Sequence, residues 1–181
     1  MCRRSEHTRG FTLAEILIVV VLIGIVSAVA VPLFSSFLAS KQLDVAAEEV
    51  ANAMRFALGE ANRTGGYILV DASPPPGYLR LYNSNASGSS VSAVTDPLTK
   101  SALAINVTSS TYASGMSLTA QFMGGGSACN QLLVGPGTQL QAFNNGSNTG
   151  LLQPGSGVVL TLGSQTVTVA INEVTGLVTL P

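Results

Sequence analysis

The hydrophobic pattern changes period twice along this chain. Ile16 to Phe34 has no polar face: 19 residues pass without a charge, mostly Val, Ile and Leu, with Gly24, Ser27, Ala28 and Ala30 among them. At a rise of ~1.5 Å per residue the run predicts a helix of ~28 Å, close to the ~30 Å hydrocarbon core of a bilayer. Its small residues either let a second helix approach closely or are simply tolerated by lipid. Pro32 removes one helical hydrogen bond and should bend or loosen the helix. Beyond it, Leu43, Ala46, Ala47, Val50, Met54, Ala57, Leu58 and Ala61 recur at three- and four-residue spacing. Asp44, Glu48, Glu49, Arg55 and Glu60 take the other faces, so the helix continues as an amphipathic one. Gly65-Gly66 ends it, which predicts one long helix from about Phe11 to Arg63 or Thr64.

From Tyr67 the period falls to two. Tyr67–Val70, Tyr78–Tyr82, Leu103–Thr108, Met116–Phe122, Leu132–Val134 and Leu140–Phe143 read as short strands. Pro74-Pro75-Pro76-Gly77 reads as a rigid turn, Gly124-Gly125-Gly126 as a break, and Asn144 to Asn148 as a turn. The Ser/Asn/Gly-rich stretch Asn83–Ser92 reads as a mobile loop. The clearest β pattern comes last: Val158–Leu162, Thr166–Ile171 and Leu177–Leu180, with Val167, Val169 and Ile171 alternating against Thr166, Thr168 and Ala170. Two or three antiparallel strands with one buried face follow. The fold class is therefore α+β: a long amino-terminal helix, its first half suited to a membrane, its second half packed on an antiparallel β-sheet domain.

Composition sharpens this picture. At 181 residues there is room for one domain and an anchor, and charged residues are 9%, against about 25% in typical soluble domains. Such a surface suits a packed assembly or an extracytoplasmic medium. Arg3, Arg4 and Arg9 precede the apolar run and no basic residue follows it until Lys41, which predicts a cytoplasmic amino terminus and an exported remainder. Met1–Gly10 is too short and polar to be a secretory signal with its own apolar core.

Between Arg9 and Lys41 the only ionisable side chain is Glu15. A carboxylate there either stabilises the helix amino terminus through the macrodipole or needs a partner, since at a bilayer centre it costs roughly 2.5–3.5 kcal/mol. The residues around it, Gly10-Phe11-Thr12-Leu13-Ala14-Glu15, resemble the processing site of type IV pilins and type II secretion pseudopilins. That resemblance implies cleavage after Gly10 by a prepilin peptidase, N-methylation of Phe11, and pairing of Glu15 with the free amino group of a neighbouring subunit. It also implies a helix-kinking role for Pro32. The chain then divides into a basic leader, 1–10; a transmembrane and assembly helix, 11–34; its amphipathic continuation, 35–64; and a β-rich globular domain, 65–181. Cleavage would leave 5 basic and 8 acidic side chains, a balance of −3, and would remove Cys2, so that Cys129 could form no internal disulfide and reads as a small buried hydrophobe.

A second resemblance covers the exported half. Ala57-Leu58-Gly59-Glu60-Ala61-Asn62-Arg63-Thr64-Gly65, Phe143-Asn144-Asn145-Gly146 and Val174-Thr175-Gly176-Leu177-Val178 look like the signatures of the GspH/FimT group of minor pseudopilins and pilins. The chain departs from that pattern at Leu58 and Leu177, where an arginine is common, and Asn83–Gly137 matches nothing in it.

No residue set in the chain suits catalysis. His7 is the only histidine and lies in the predicted leader, which leaves neither a Ser-His-Asp relay nor a histidine metal site. Asp71, Asp96 and Glu173 lack calcium-loop spacing and read as surface or turn groups. Met123-Gly124-Gly125-Gly126-Ser127 lacks the lysine of a phosphate loop. Asn85, Asn106 and Asn145 fit the glycosylation tripeptide, a pattern short enough to occur by chance in what looks like a bacterial chain. The expectation is a non-enzymatic chain without metal or cofactor. From Gly65 onward only Arg80 and Lys100 could meet phosphates, which argues against nucleic acid as a partner. The expected partners are other pilins or pseudopilins, the peptidase/methylase and the bacterial inner membrane. The expected role is a minor subunit of a type II secretion pseudopilus or pilus-like filament, in its initiation or tip complex. A DNA-capturing pilin and a major or adhesive fibre subunit are the alternatives.

Overall fold

The computed structural model describes residues 12–73, 77–109, 111–137 and 139–180. The chain divides between Leu38 and Ala39 into two units. In the first, helix α1 (Leu13–Thr64) begins, and each residue from Leu13 to Ala30 and from Leu33 to Leu38 is exposed. The helix is continuous through Pro32. An 18-residue window within α1 has a mean hydropathy of 3.1, long and apolar enough to cross a membrane. The expected processing bond at Gly10 and Phe11 and the prolines 74–76 lie outside the described residues.

The second unit holds the rest of α1 and twelve strands: β1 (Tyr67–Asp71), β2 (Tyr78–Ser84), β3 (Ser90–Ala93), β4 (Ala104–Asn106), β5 (Met116–Gly124), β6 (Ser127–Cys129), β7 (Gln131–Gly135), β8 (Gln139–Asn144), β9 (Ser147–Leu151), β10 (Gly157–Leu162), β11 (Gln165–Ile171) and β12 (Val178–Thr179). All pairings between these strands are antiparallel. One sheet runs β3-β2-β1-β7-β8-β9, with β4 also on β2; the other runs β12-β11-β10-β5-β6. This is the expected α+β arrangement, with two sheets rather than one.

Period explains the packing. Of the stripe predicted from sequence, Leu43, Ala46, Ala47, Val50, Met54, Ala57 and Ala61 are buried, and Leu58 is half-buried at its edge. They share one core with Ile68, Val70, Leu81 and Leu132 of the first sheet and with Phe122, Val158, Leu160 and Val169 of the second. Each fully buried Leu, Val or Phe contributes about 1.5–3 kcal/mol through removal from water. The alanines bring the helix backbone near the strands, so that larger side chains on the sheets fill the space. Gly65, at φ 66°, ends the helix as expected.

The stretch Asn83–Ser92 is a correction. It is not a free loop but the end of β2, a tight turn and β3. Asn85 Oδ1 accepts from Ser87 N–H at 3.1 Å, Ser87 Oγ at 2.7 Å and Ser89 N–H at 3.0 Å, so one side chain organises the turn. The turn carries buried Gly88, at φ 80°, onto the ring of Phe143 on β8; a Cβ at Gly88 would lie 2.3 Å from that ring. Phe143, Leu69 and Leu133 form a second, smaller apolar cluster on the first sheet. The Gly124–Gly126 break is likewise a hairpin, with Gly124 paired to Ser127 and Gly125 and Gly126 both at positive φ.

Candidate assembly site

Glu15 occupies the first turn of α1, and its position follows from Thr12. Thr12 precedes the first helical residue, Leu13, and Glu15 stands three residues after it, the spacing of a capping box. Glu15 N–H donates to Thr12 Oγ1 at 3.3 Å. In return Thr12 N–H donates to Glu15 Oε2 at 2.9 Å, and the Thr12 hydroxyl donates to the same oxygen at 3.1 Å. These bonds satisfy backbone donors that a helix start leaves without partners. They also turn the carboxylate back over the helix end. Among the described residues both donors fall on Oε2, and Oε1 receives none. The sequence carries this capping box as the spacing Thr-x-x-Glu at the edge of the apolar run.

Around and after Glu15 the helix surface is apolar on all sides. Ile16, Val19 and Val20 stand with Glu15 along one shallow groove, and all of them are exposed. A Cβ at Gly24 would meet nothing within 4 Å. Among the described residues of this unit nothing packs against the helix.

The signature stretches of the second unit fall in two places. Ala57–Gly65 closes α1, and Val174–Val178 is the connection into β12, built on Asn172. Asn172 Oδ1 accepts from the N–H groups of Val174 at 3.0 Å and Thr175 at 2.8 Å. These two stretches meet: Gly176, at φ 70°, comes so near Leu58 that a Cβ would lie 2.9 Å from Leu58 Cδ2. Leu58 and Leu177, the two departures from the resembled pattern, line one groove with Arg55 and Asn62. Arg55 Nη2 donates to the Val178 carbonyl at 3.1 Å, and Asn62 Oδ1 accepts from Gly137 N–H at 2.9 Å. Arg63 grips Glu60 with two bonds, 2.6 and 2.8 Å, which hold the Glu60 carboxyl below the usual carboxylate range. Phe143–Gly146 lies elsewhere, at the turn between β8 and β9.

Groups of three metal-ligating side chains are absent among the described residues. Cys129 is buried beside the Thr149 hydroxyl, at 3.2 Å. Asp96 folds its carboxylate onto Leu98 N–H and the Thr99 hydroxyl, and Asp71 onto Ser73 N–H and Gln131; both act as turn-building groups. Tyr112 donates to Glu49 on α1, tying the segment before β5 to the helix. Burial and this bond to a carboxylate push the Tyr112 phenol upward.

Residues 7–31 match the family described as the prokaryotic N-terminal methylation motif. Two curated relatives, each named fimbrial protein and each from Pseudomonas aeruginosa, are 39% identical to the chain over 66 residues. The match covers 36% of this chain and 42% of each relative, so the chain spans less than half the length of the curated relatives it matches. No solved structure matches. The chain is thus type IV pilin-like at its amino terminus and a distant homologue of fimbrial proteins.

Proposed function

We propose that the chain is a minor pilin or pseudopilin of the GspH/FimT kind. In this reading it is a structural subunit of a type II secretion pseudopilus or type IV pilus-like filament, working in the initiation or tip complex. One juxtaposition carries the reading: a methylation motif over residues 7–31 that runs into a helix exposed and apolar on every side. Apolar area in water costs about 25 cal/mol per Å² relative to burial, so lipid or neighbouring helices must cover this surface. The cytoplasmic leader is cut after Gly10, Phe11 is methylated, and the domain beyond Lys41 stands outside the inner membrane. The chain performs no reaction and needs no cofactor; it is a substrate of the peptidase and methylase.

Glu15 then gives the subunit its register. Thr12 holds Oε2 and leaves Oε1 to the amino group of Phe11 on a neighbouring subunit. Opposite charges brought together in low dielectric offset part of their desolvation, and a neighbour shifted along the axis would strand one of them in lipid. Pro32, which lacks the amide proton that would bond the Ala28 carbonyl, lets the helix adjust below the domain.

Glu15→Val tests this. The substitution makes the span more apolar, so membrane levels should hold, while co-purification with partner pilins should fall to a small fraction of wild type. Intact mass of the membrane-extracted chain should correspond to a start at methylated Phe11. Undiminished co-purification at equal membrane levels, or a chain retaining Cys2 and Arg3, would overturn the reading.

A further inference from the structure

The sequence contains one Asn-Gly pair, Asn145-Gly146, and both residues are exposed in the two-residue turn between β8 and β9. Asparagine before glycine is chemically labile, because no side chain hinders attack by the following amide nitrogen. In that reaction the Gly146 amide gives its proton to solvent base and its nitrogen bonds to Cγ of Asn145. The side-chain nitrogen leaves as ammonia, and water opens the cyclic imide to aspartate or its isopeptide isomer. Either product puts a carboxylate where a neutral amide stood.

Both reacting groups are held by other partners. Gly146 N–H donates to Gln131 Oε1 at 2.8 Å. Gln131 is 9% exposed and is anchored in turn, its Nε2 donating to Asp71 Oδ1 at 3.1 Å. Asn145 Oδ1 accepts from Asn130 Nδ2 at 2.9 Å, and Asn145 N–H donates to Asn130 Oδ1 at 3.2 Å. The pairing Asn144↔Ser147 closes the turn, whose φ values are 49° and 82°. Ring closure requires the Gly146 nitrogen to leave Gln131 and approach Cγ to about 3–3.5 Å in the right direction. The bond from Asn130 polarises the Asn145 carbonyl, but it also restrains the rotation of the side chain that the approach needs.

We propose that Gln131 and Asn130 form a clamp that protects Asn145 from deamidation, closing an exposed modification site by hydrogen bonding instead of burial. The surroundings give the clamp its consequence. From Ser101 to Asn172, 72 residues, the chain has no charged side chain, and strands β4 to β11 all lie within that stretch. A carboxylate at position 145 would be the first charge there, and it would form beside the amide of Asn130.

The test uses the full chain, purified in detergent and held at mildly alkaline pH. Peptide mass spectrometry and isoaspartate-specific methylation follow conversion of Asn145. Native protein should convert at least about tenfold more slowly than the same chain unfolded in urea, the factor that hydrogen bonds of ordinary net strength supply. Gln131→Leu should raise the native rate several-fold and leave the unfolded rate unchanged. Asn130→Ala, at a half-buried position, should act in the same direction and more weakly, and it supplies the second variant if Gln131→Leu does not fold. Equal rates in folded and unfolded wild type would overturn the proposal. So would a folded Gln131→Leu or, where only that variant folds, a folded Asn130→Ala whose native rate stays at the wild-type value.

Discussion

The two halves of α1 contain similar side chains in opposite circumstances. From Leu13 to Ala30 every residue is exposed, Val20 at 63% and Ile25 at 60% among them. From Leu43 to Ala61 one stripe is sealed, with Val50 at 0% and Met54 at 1%. The difference lies in pattern before it lies in structure. An apolar stripe with polar flanks can be matched by a sheet of the same chain, whereas a helix apolar on all sides offers no such single face. An apolar residue therefore stabilises the domain in the second half and, among the described residues, has no partner in its own unit in the first.

That comparison can be broken by substitution. Met54→Ala removes a filled position between helix and sheets and should destabilise the domain by about 2–5 kcal/mol. For a chain of this size each 1 kcal/mol lowers Tm by about 2–4 °C, so the loss is plain in a thermal melt. Val20→Ala, equally a truncation of an apolar helix residue, should change the same melt by no more than about 0.5 kcal/mol. A large effect of Val20→Ala would mean that the first half is packed within the chain after all.

Gly88→Ala asks whether the turn on Phe143 belongs to the packed region. A methyl there meets the ring and a backbone at positive φ, and should cost about 1–3 kcal/mol in chemical denaturation. A neutral outcome would return Asn83–Ser92 to the free loop its composition suggests. Glu60→Gln has the smallest effect. Arg63 lowers the Glu60 carboxyl in the folded chain, so its stabilisation is present above the unfolded carboxylate value and is lost as pH falls through the lowered one. Stability measured against pH should lose part of its acid slope in the variant, and an identical slope would show that the exposed pair contributes nothing.

The parts of the fold legible in sequence are those with a strong local period. The stripe of α1, its stop at Gly65 and the alternation through Thr166–Ile171 each recur within a few residues. Strands β3, β6 and β9 carry no such signal: Ser90–Ala93 is exposed throughout, and Ser147–Leu151 nearly so, because pairing register and not burial makes them strands. Asn83–Ser92 misleads for a related reason. Its turn chemistry is local and readable, but the ring that covers Gly88 belongs to Phe143, far along the chain. At the amino terminus, Glu15 was legible as a charge in an apolar setting, while its bonds to Thr12 lay hidden in a four-residue spacing that the apolar run overshadowed.

The bond from Arg55 to the carbonyl of Val178 joins residues 123 apart in sequence. Closing so long a segment adds little entropy cost per added residue, yet contacts of this separation slow a folding reaction. Translation at about 5–20 residues per second separates the two partners by roughly 6–25 s. For most of that interval the helical stripe from Leu43 to Ala61 is made and β10 to β12 are not. A newborn chain therefore carries the exposed stripe while part of its cover is still being synthesised, and that surface must be kept from other chains until the cover arrives.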